Sequence, residues 1–228
     1  MSIVLRPPFP TDTQRTEPRM TAAKTEEAFE LVPEVDAPSS DSQPDWVASE
    51  MPPRYIEIAG RLAVLRQEAR EFERVGEVLW QTGSALTRAI RDLFTALQFE
   101  TELTSRGTNY DLSVRTEGGR RLLVEVIGSP VAITKKSPEI AKALRAMQED
   151  AGEKDRVVIV ANAYCEKPPA ARKEDPVAPD ALRLIQGLGA NFVTTATLFG
   201  IWRYSLQNLQ EARKSVMNLQ ELDGGVFR

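Results

Sequence analysis

Residues 109–128, NYDLSVRTEGGRRLLVEVIG, predict a β-hairpin around which the rest of the chain can be arranged. In the first half, Leu112 and Val114 alternate with polar residues, which is the period of a strand buried on one face. The glycine pair at 118–119 suits the positive φ angles of a tight turn. The second half, residues 122–127, is an almost continuous apolar run, as expected of a strand covered on both faces.

One carboxylate, Glu125, interrupts this apolar run. Burying a charge there costs several kcal/mol, on the order-of-magnitude scale, unless the group is paired, protonated or bound to a cation. Asp111 begins the neighbouring strand, so pairing of the two strands would bring two carboxylates together. One reading is a site for chemistry at this acidic pair. The structural alternative is an ion pair between Glu125 and an arginine such as Arg115 or Arg121.

The hairpin resembles the core of the PD-(D/E)XK nuclease superfamily, in which two acidic residues lie on adjacent strands. The resemblance rests on the Asp111–Glu125 spacing, the Glu-Val-x-Gly ending at Gly128 and the preceding helix and strand. Farther along, VVIVANAY, DALRLIQGLG and NFVTTATLFGIWR resemble the type IV restriction endonuclease-like domains. This resemblance implies an α/β fold, in which a restriction endonuclease-like mixed β-sheet is flanked by helices.

The same resemblance implies a metal site. Asp111, Glu125 and the backbone carbonyl of Ile127 would hold Mg²⁺ or Mn²⁺, which polarises the scissile phosphate of DNA. Two departures stand against full activity. Ile127 occupies the position of the family lysine, and Thr87 lies near the position of a helix glutamate that many members carry.

A lysine from elsewhere would have to replace the missing one, and Lys135 and Lys136 are the candidates. Their alternative reading is a solvated pair ahead of a proline-opened helix. Because isoleucine can neither orient water nor transfer a proton, the sequence favours a degenerate nuclease fold that binds nucleic acid or a partner. An active Mg²⁺-dependent endonuclease with a relocated lysine and a dimeric scaffold without catalysis are the alternatives. Nucleic-acid binding would depend on basic residues near the hairpin: Arg106, Arg115, Arg120 and Arg121.

Composition limits the other classes. The chain has 228 residues, one cysteine and no histidine, so histidine-based triads and zinc sites that need histidine are excluded. A lone cysteine and the lack of an apolar leader or membrane-length run predict a cytoplasmic protein with no membrane partner. Residues 1–53 hold nine of the fifteen prolines, with four Lys/Arg against ten Asp/Glu. That composition predicts a disordered acidic tail that tethers the chain or recruits a protein partner.

Residues 54–80 predict a long helix, because apolar residues recur at alternating spacings of three and four from Tyr55 to Leu79. This heptad-like pattern predicts either a homodimer or packing of the stripe on the chain's own domain. Residues 81–206 then alternate helices and strands and predict the nuclease-like domain. Residues 207–228 predict a C-terminal amphipathic helix and tail.

Overall fold

The computed structural model describes residues 44, 46–104, 107–222 and 224–227. The predicted acidic tail therefore lies outside the described residues up to residue 43, and Arg106 lies outside them as well. The last part of the predicted tail contains a short helix, α1 (Val47–Glu50). None of the helices within the described ranges is long and apolar enough to cross a membrane.

Two compact units divide the described chain, one ending at Glu68 and the other beginning at Ala69. The predicted long helix is α2 (Pro53–Gly76), which ends before residue 80 and is followed by a 3₁₀ turn, Glu77–Leu79. Val78, in this turn, is fully buried in the core.

The unit that begins at Ala69 is a six-stranded mixed sheet flanked by helices, which confirms the predicted α/β class. The helices after α2 are α3 (Gly83–Ala96), α4 (Pro138–Arg145), α5 (Pro179–Gly187), α6 (Thr195–Ser205) and α7 (Leu209–Glu221). The strands are β1 (Glu100–Leu103), β2 (Leu112–Arg115), β3 (Arg121–Ser129), β4 (Arg156–Ala163), β5 (Asn191–Thr194) and β6 (Gly225–Phe227).

Strand order follows chain order from β1 to β6. The first three strands are antiparallel, and β3 to β6 are parallel. The predicted hairpin joins β2 to β3, with Leu112 opposite Val124 and Arg115 opposite Arg121. Its connection is a short 3₁₀ turn in which Gly118 and Gly119 have φ angles of 72° and 73°, values that a side chain with a Cβ rarely adopts.

Helices cover both faces of the sheet, so β3 is buried on two sides. Leu122, Val124 and Val126 belong to one apolar core with α3, α6 and α7, whereas Leu123 and Ile127 belong to a second core with α4 and α5. Because side chains alternate along a strand, Glu125 shares the face of Leu123 and Ile127. The buried carboxylate is therefore directed to the side of the sheet that α4 covers.

Two local features differ from the sequence predictions. A sixth strand, Gly225–Phe227, pairs with β5 where only a helix and tail were expected; three residues are too few to show a period. The helix after Pro138 changes to a π-helical turn at Ala146–Asp150.

Candidate active site

Asp111, Glu125 and Lys142 form an ion-paired cluster in the unit that begins at Ala69. Lys142 Nζ lies 2.5 Å from Asp111 Oδ1 and 2.8 Å from Glu125 Oε2. Asp111 immediately precedes β2, Glu125 lies in the middle of β3, and Lys142 lies on α4. Two carboxylate oxygens therefore converge on a single cationic centre.

The sheet holds the Asp111 carboxylate in place. The backbone N–H of Asp111 donates to the Val124 carbonyl at 2.9 Å, which extends the hairpin ladder by one residue beyond β2. Asp111 Oδ2 accepts a hydrogen bond from the Val126 N–H at 3.0 Å. One oxygen is thus fixed by β3, and the other, Oδ1, remains for Lys142.

Lys142 reaches the sheet because α4 packs its neighbours into the second core. Pro138 opens the helix, and Ile140 and Ala143 are buried beneath it. Lys142 lies at the edge of that buried face, so its stem covers apolar surface while its ammonium extends to the carboxylates. Only 27% of its side chain is exposed.

Glu125 is almost fully buried, at 1% relative exposure. Within the described part of the chain its Oε2 atom accepts no hydrogen bond beyond the ion pair with Lys142. Burial raises the pKa of Glu125 to about 8, against the hydrogen bond from Lys142, which lowers it. The nearby charges of Asp111 and Glu139 contribute to this rise in the pKa of Glu125.

The pKa of Lys142 is also raised. Burial lowers it, but the hydrogen bonds and charges of Asp111 and Glu125 together outweigh that effect. Lys142 therefore carries its charge throughout the neutral range. A cation is held at this point even when no other ion is present.

A cleft of about 810 Å³ opens in front of the cluster. Its walls come from the start of α3, the segment before β2, and α4. Two exposed arginines, Arg88 on α3 and Arg145 on α4, line it. Neither has an ion-pair partner among the residues that the structure describes, and Arg88 donates only a long hydrogen bond of 3.5 Å to Ser84 Oγ. The cleft thus joins an acidic centre to unpaired positive charge.

Close packing at Gly128 sets the position of the α3 wall. A Cβ atom at Gly128 would lie 2.9 Å from both the Cα and the Cβ of Thr82. Only glycine therefore allows the end of β3 to approach the start of α3 at this distance. Gly83, Ser84 and Thr87 then line the cleft.

The structure places the predicted lysines elsewhere. Lys135 is exposed and pairs with Asp180 at 3.4 Å, and Lys136 is also exposed. Both come before α4, so neither lines the cleft. Ile127 is buried in the second core with 2% relative exposure. The lysine at the carboxylates is Lys142, which sequence reasoning missed; its position beside buried Ala143 on a proline-opened helix was the available signal.

The predicted arginines are likewise engaged outside the cleft. Arg115 pairs with Glu100 at 3.5 Å, and Arg120 pairs with Glu221 at 2.6 Å. Arg121 pairs with Asp155 at 2.6 Å. Neither Arg115 nor Arg121 therefore neutralises Glu125, and Arg106 lies outside the described residues. The arginines that do line the cleft, Arg88 and Arg145, were not among the predicted residues.

Thr87 lines the cleft at the position where the resemblance suggested a helix glutamate. Its hydroxyl donates to the Gly83 carbonyl at 3.3 Å, so it stabilises the first turn of α3. It adds no charge to the site.

The donor set can be tested against the implied metal. No group of three or more Asp, Glu, His or Cys side chains suited to a metal occurs within the described ranges. Mg²⁺, however, is usually held by one or two carboxylates together with waters and phosphate oxygens. Asp111 Oδ1 and Glu125 Oε2 already converge on one cation, the Lys142 ammonium. The two carboxylates therefore fit a Mg²⁺ or Mn²⁺ ion.

No protein-family model matches the sequence, and no curated protein is significantly similar to it. Among solved structures, the chain is similar to one described as the structure of restriction endonuclease FokI bound to DNA, with 11% sequence identity and a TM-score of 0.42. The similarity covers 69% of this chain and 30% of that one, so this chain spans about a third of its length. A likeness of this size does not by itself assign a fold, an activity or a ligand.

Proposed function

We propose that this protein is a metal-dependent nuclease that hydrolyses DNA phosphodiester bonds, with its active site at Asp111, Glu125 and Lys142. The observation that carries the proposal is the contact of one lysine with both carboxylates in an open cleft. Paired carboxylates and a lysine are the groups that the PD-(D/E)XK resemblance implies. Here the lysine comes from α4 and not from the strand position that Ile127 occupies.

Asp111 and Glu125 are the residues that would hold Mg²⁺ or Mn²⁺, with the Ile127 carbonyl as a further oxygen ligand. When bound, such an ion polarises a phosphoryl oxygen and acidifies a coordinated water. The Asp111 carboxylate is suited to this role because the Val126 N–H fixes one oxygen and so orients the other. Glu125 is suited because its buried carboxylate needs a cation when it is ionised.

Lys142 would act as a charged donor in this site. Since its pKa is raised, it cannot serve as a proton acceptor near neutral pH. Its ammonium can instead donate hydrogen bonds to a phosphate oxygen and stabilise the negative charge that develops during hydrolysis. It also keeps the two carboxylates close together when no other cation is bound.

Arg88 and Arg145 would bind phosphates on either side of the bond to be cleaved. Both are exposed in the cleft, and no carboxylate within the described residues neutralises them. Contacts of this kind supply affinity without reading sequence. They take the role that the sequence had suggested for Arg106, Arg115, Arg120 and Arg121.

A second candidate function is nucleic-acid binding without cleavage, the reading that Ile127 favoured. The observation in its favour is that no group of three or more side chains suited to a metal occurs within the described residues, and that Thr87 lies where the resemblance suggested a glutamate. Both candidates use the same cleft, so one assay separates them.

In that assay, the protein is incubated with supercoiled plasmid, single-stranded DNA or RNA in Mg²⁺ or Mn²⁺, and both binding and cleavage are measured. We expect metal-dependent cleavage of DNA that is lost in Glu125→Gln and in Lys142→Met. Lys135→Met is the matched control, because this lysine pairs with a surface carboxylate outside the cleft. Binding without cleavage by the wild type would support the second candidate. A wild type that neither binds nor cleaves nucleic acid would overturn both candidate functions.

A further inference from the structure

Helix α2 carries an apolar stripe whose side chains are exposed along most of its length. The stripe consists of six residues at alternating spacings of three and four: Tyr55, Ile58, Leu62, Leu65, Ala69 and Phe72. All six are exposed, the five large ones at 44–59%. A soluble helix normally buries such a stripe against another element. This face therefore requires a partner.

The spacing of the stripe, and not exposure alone, indicates what covers it. Ile56 and Val64 are equally exposed at 58%, but they lie outside the heptad seam. The stripe residues are separated by three, four, three, four and three positions, and this order is the same in either direction along the helix. A second α2 in the opposite direction would set Tyr55 against Phe72, Ile58 against Ala69 and Leu62 against Leu65 of that copy.

Charges beside the stripe oppose a parallel pair. Arg61 and Glu68 directly precede the stripe residues Leu62 and Ala69. In a parallel two-stranded coil, a residue at such a position faces the residue five places later on the other helix. Arg61 would then face Arg66 of the second copy, and Glu68 would face Glu73. Each like-charge contact would occur twice per dimer, and like charges in contact are destabilising.

The same charges favour an antiparallel pair. Arg61 and Glu68 lie on the same side of the seam. When one helix is reversed, this side meets the same side of the second copy, and Arg61 of each copy faces Glu68 of the other. Each dimer therefore gains two opposite-charge contacts. On the other side of the seam, Arg66 comes to face Ala59, which carries no charge. No like-charge contact remains.

We propose that the α2 stripe is the interface of an antiparallel homodimer, in which Arg61 of each copy pairs with Glu68 of the other. The proposal does not depend on the nuclease function. It goes beyond the heptad pattern by fixing the direction and register of the two helices.

An apolar cleft lies where the stripe ends. It has a volume of about 480 Å³ and is lined by Phe72, Val75, Trp202 and Leu206 among others. The Phe72 ring packs edge-on against Trp202, with ring centroids 5.7 Å apart, yet half of Phe72 remains exposed. In the antiparallel register, Tyr55 of the second copy reaches Phe72 and enters this cleft.

Charge reversal distinguishes the two directions. Sedimentation equilibrium at low salt should show that Arg61→Glu raises the dimer dissociation constant by about ten-fold, because two attractive pairs become repulsive. The double variant Arg61→Glu/Glu68→Arg should return close to the wild-type value. Arg70→Glu is the matched control, since residue 70 lies outside the seam. The differences should shrink at high salt.

A parallel dimer gives the opposite result, because Arg61→Glu would then face Arg66 and tighten association. Tighter association of Arg61→Glu, or a wild type that stays monomeric at millimolar concentration, would overturn the proposal.

Disulfide trapping supplies an independent measurement in a Cys165→Ala background. Mixing Ile58→Cys with Ala69→Cys protein should give a mixed disulfide under mild oxidation, because these positions face each other in the antiparallel register. Ile58→Cys alone should cross-link little, since the two copies of residue 58 lie about 16 Å apart along the helix axis. Efficient cross-linking of Ile58→Cys to itself, without the mixed product, would establish the parallel form and overturn ours.

Discussion

The Lys142 ammonium lies 2.8 Å from Glu125 Oε2, so a helix residue pairs with the carboxylate in the middle of a strand that is covered on both faces. Strand β3 carries no basic residue beside Glu125 on this face. The next residue on the same face is Ile127, which belongs to the apolar core. The connection after β3 returns the chain as α4 over this face, which places a lysine where the strand lacks one. Lys142 contacts both Asp111 and Glu125 and so holds the two carboxylates close together.

Removing Lys142 should destabilise the metal-free protein. Lys142→Met leaves two carboxylates with little solvent and no cation, so we expect the free energy of unfolding at pH 8.5 to fall by about 2 kcal/mol. Urea unfolding with a chelator measures this change. Lys135→Met breaks only an exposed pair and should change the free energy of unfolding by less than about 0.5 kcal/mol.

Added Mg²⁺ or Mn²⁺ should restore part of the stability of Lys142→Met, since a bound ion replaces the missing charge. Equal stability of Lys142→Met and wild type in chelator would contradict the ion-paired cluster.

Stability should depend on pH through Glu125. Burial raises its pKa from 4.5 to about 8, so between these values the folded chain holds a proton that the unfolded chain has released. The free energy of unfolding should therefore fall as pH rises through this window, by at most about 1.4 kcal/mol per pH unit. Lys142 remains charged throughout, because its pKa is raised.

Urea titrations of wild type and Glu125→Gln across pH 5 to 9 check this prediction. The glutamine variant cannot ionise, so its profile should be flatter over this range. Identical profiles for the two proteins would mean that Glu125 titrates near its ordinary value.

Loss of the cleft arginines should weaken DNA binding. Arg88→Ala and Arg145→Ala should each lower affinity and reduce the slope of log affinity against log salt by about 0.9, the value for one phosphate contact. Fluorescence anisotropy in Ca²⁺ with a labelled duplex measures both quantities. Arg203→Ala, an exposed arginine of α6 that lines neither cleft, is the control. An equal effect of Arg203→Ala would indicate nonspecific attraction instead of a binding cleft.

A buried amide should hold several segments behind the site. Asn162 Nδ2 donates to the Gln81 carbonyl at 3.0 Å, and Asn162 Oδ1 accepts from Arg172 at 2.8 Å and from Thr195 Oγ1 at 3.1 Å. Asn162→Ala leaves Arg172 and a carbonyl without these partners, so we expect a loss of about 3 kcal/mol in urea unfolding. Asn208→Ala, which removes an exposed helix cap, should cost about 1 kcal/mol. A smaller loss for Asn162→Ala than for Asn208→Ala would refute the role of this network.

Local patterns were sufficient for much of the fold. The two-residue period at Leu112 and Val114, the glycine turn and the apolar run after it predicted the hairpin that the structure shows. The buried carboxylate within that run also directed attention to Glu125 and its neighbour Asp111. Both signals lie within a single hairpin, where sequence separation is short.

Lys142 could not be chosen on such grounds, because its contact with Glu125 depends on how α4 packs over β3. Lys135 and Lys136 are closer to β3 in sequence, but they precede the helix and point to solvent. Similarly, Phe227 joins the sheet through a strand of only three residues, which no periodic pattern can reveal. Tertiary packing, and not local preference, decides these features.

Binding of Mn²⁺ at pH 8.5, followed by electron paramagnetic resonance, tests the central claim most directly. Asp111 and Glu125 should hold one ion per chain in the wild type and in Lys142→Met, and the ion should be lost in Glu125→Gln. An unchanged Mn²⁺ signal in Glu125→Gln, or no bound ion in the wild type, would contradict the proposed metal-dependent active site.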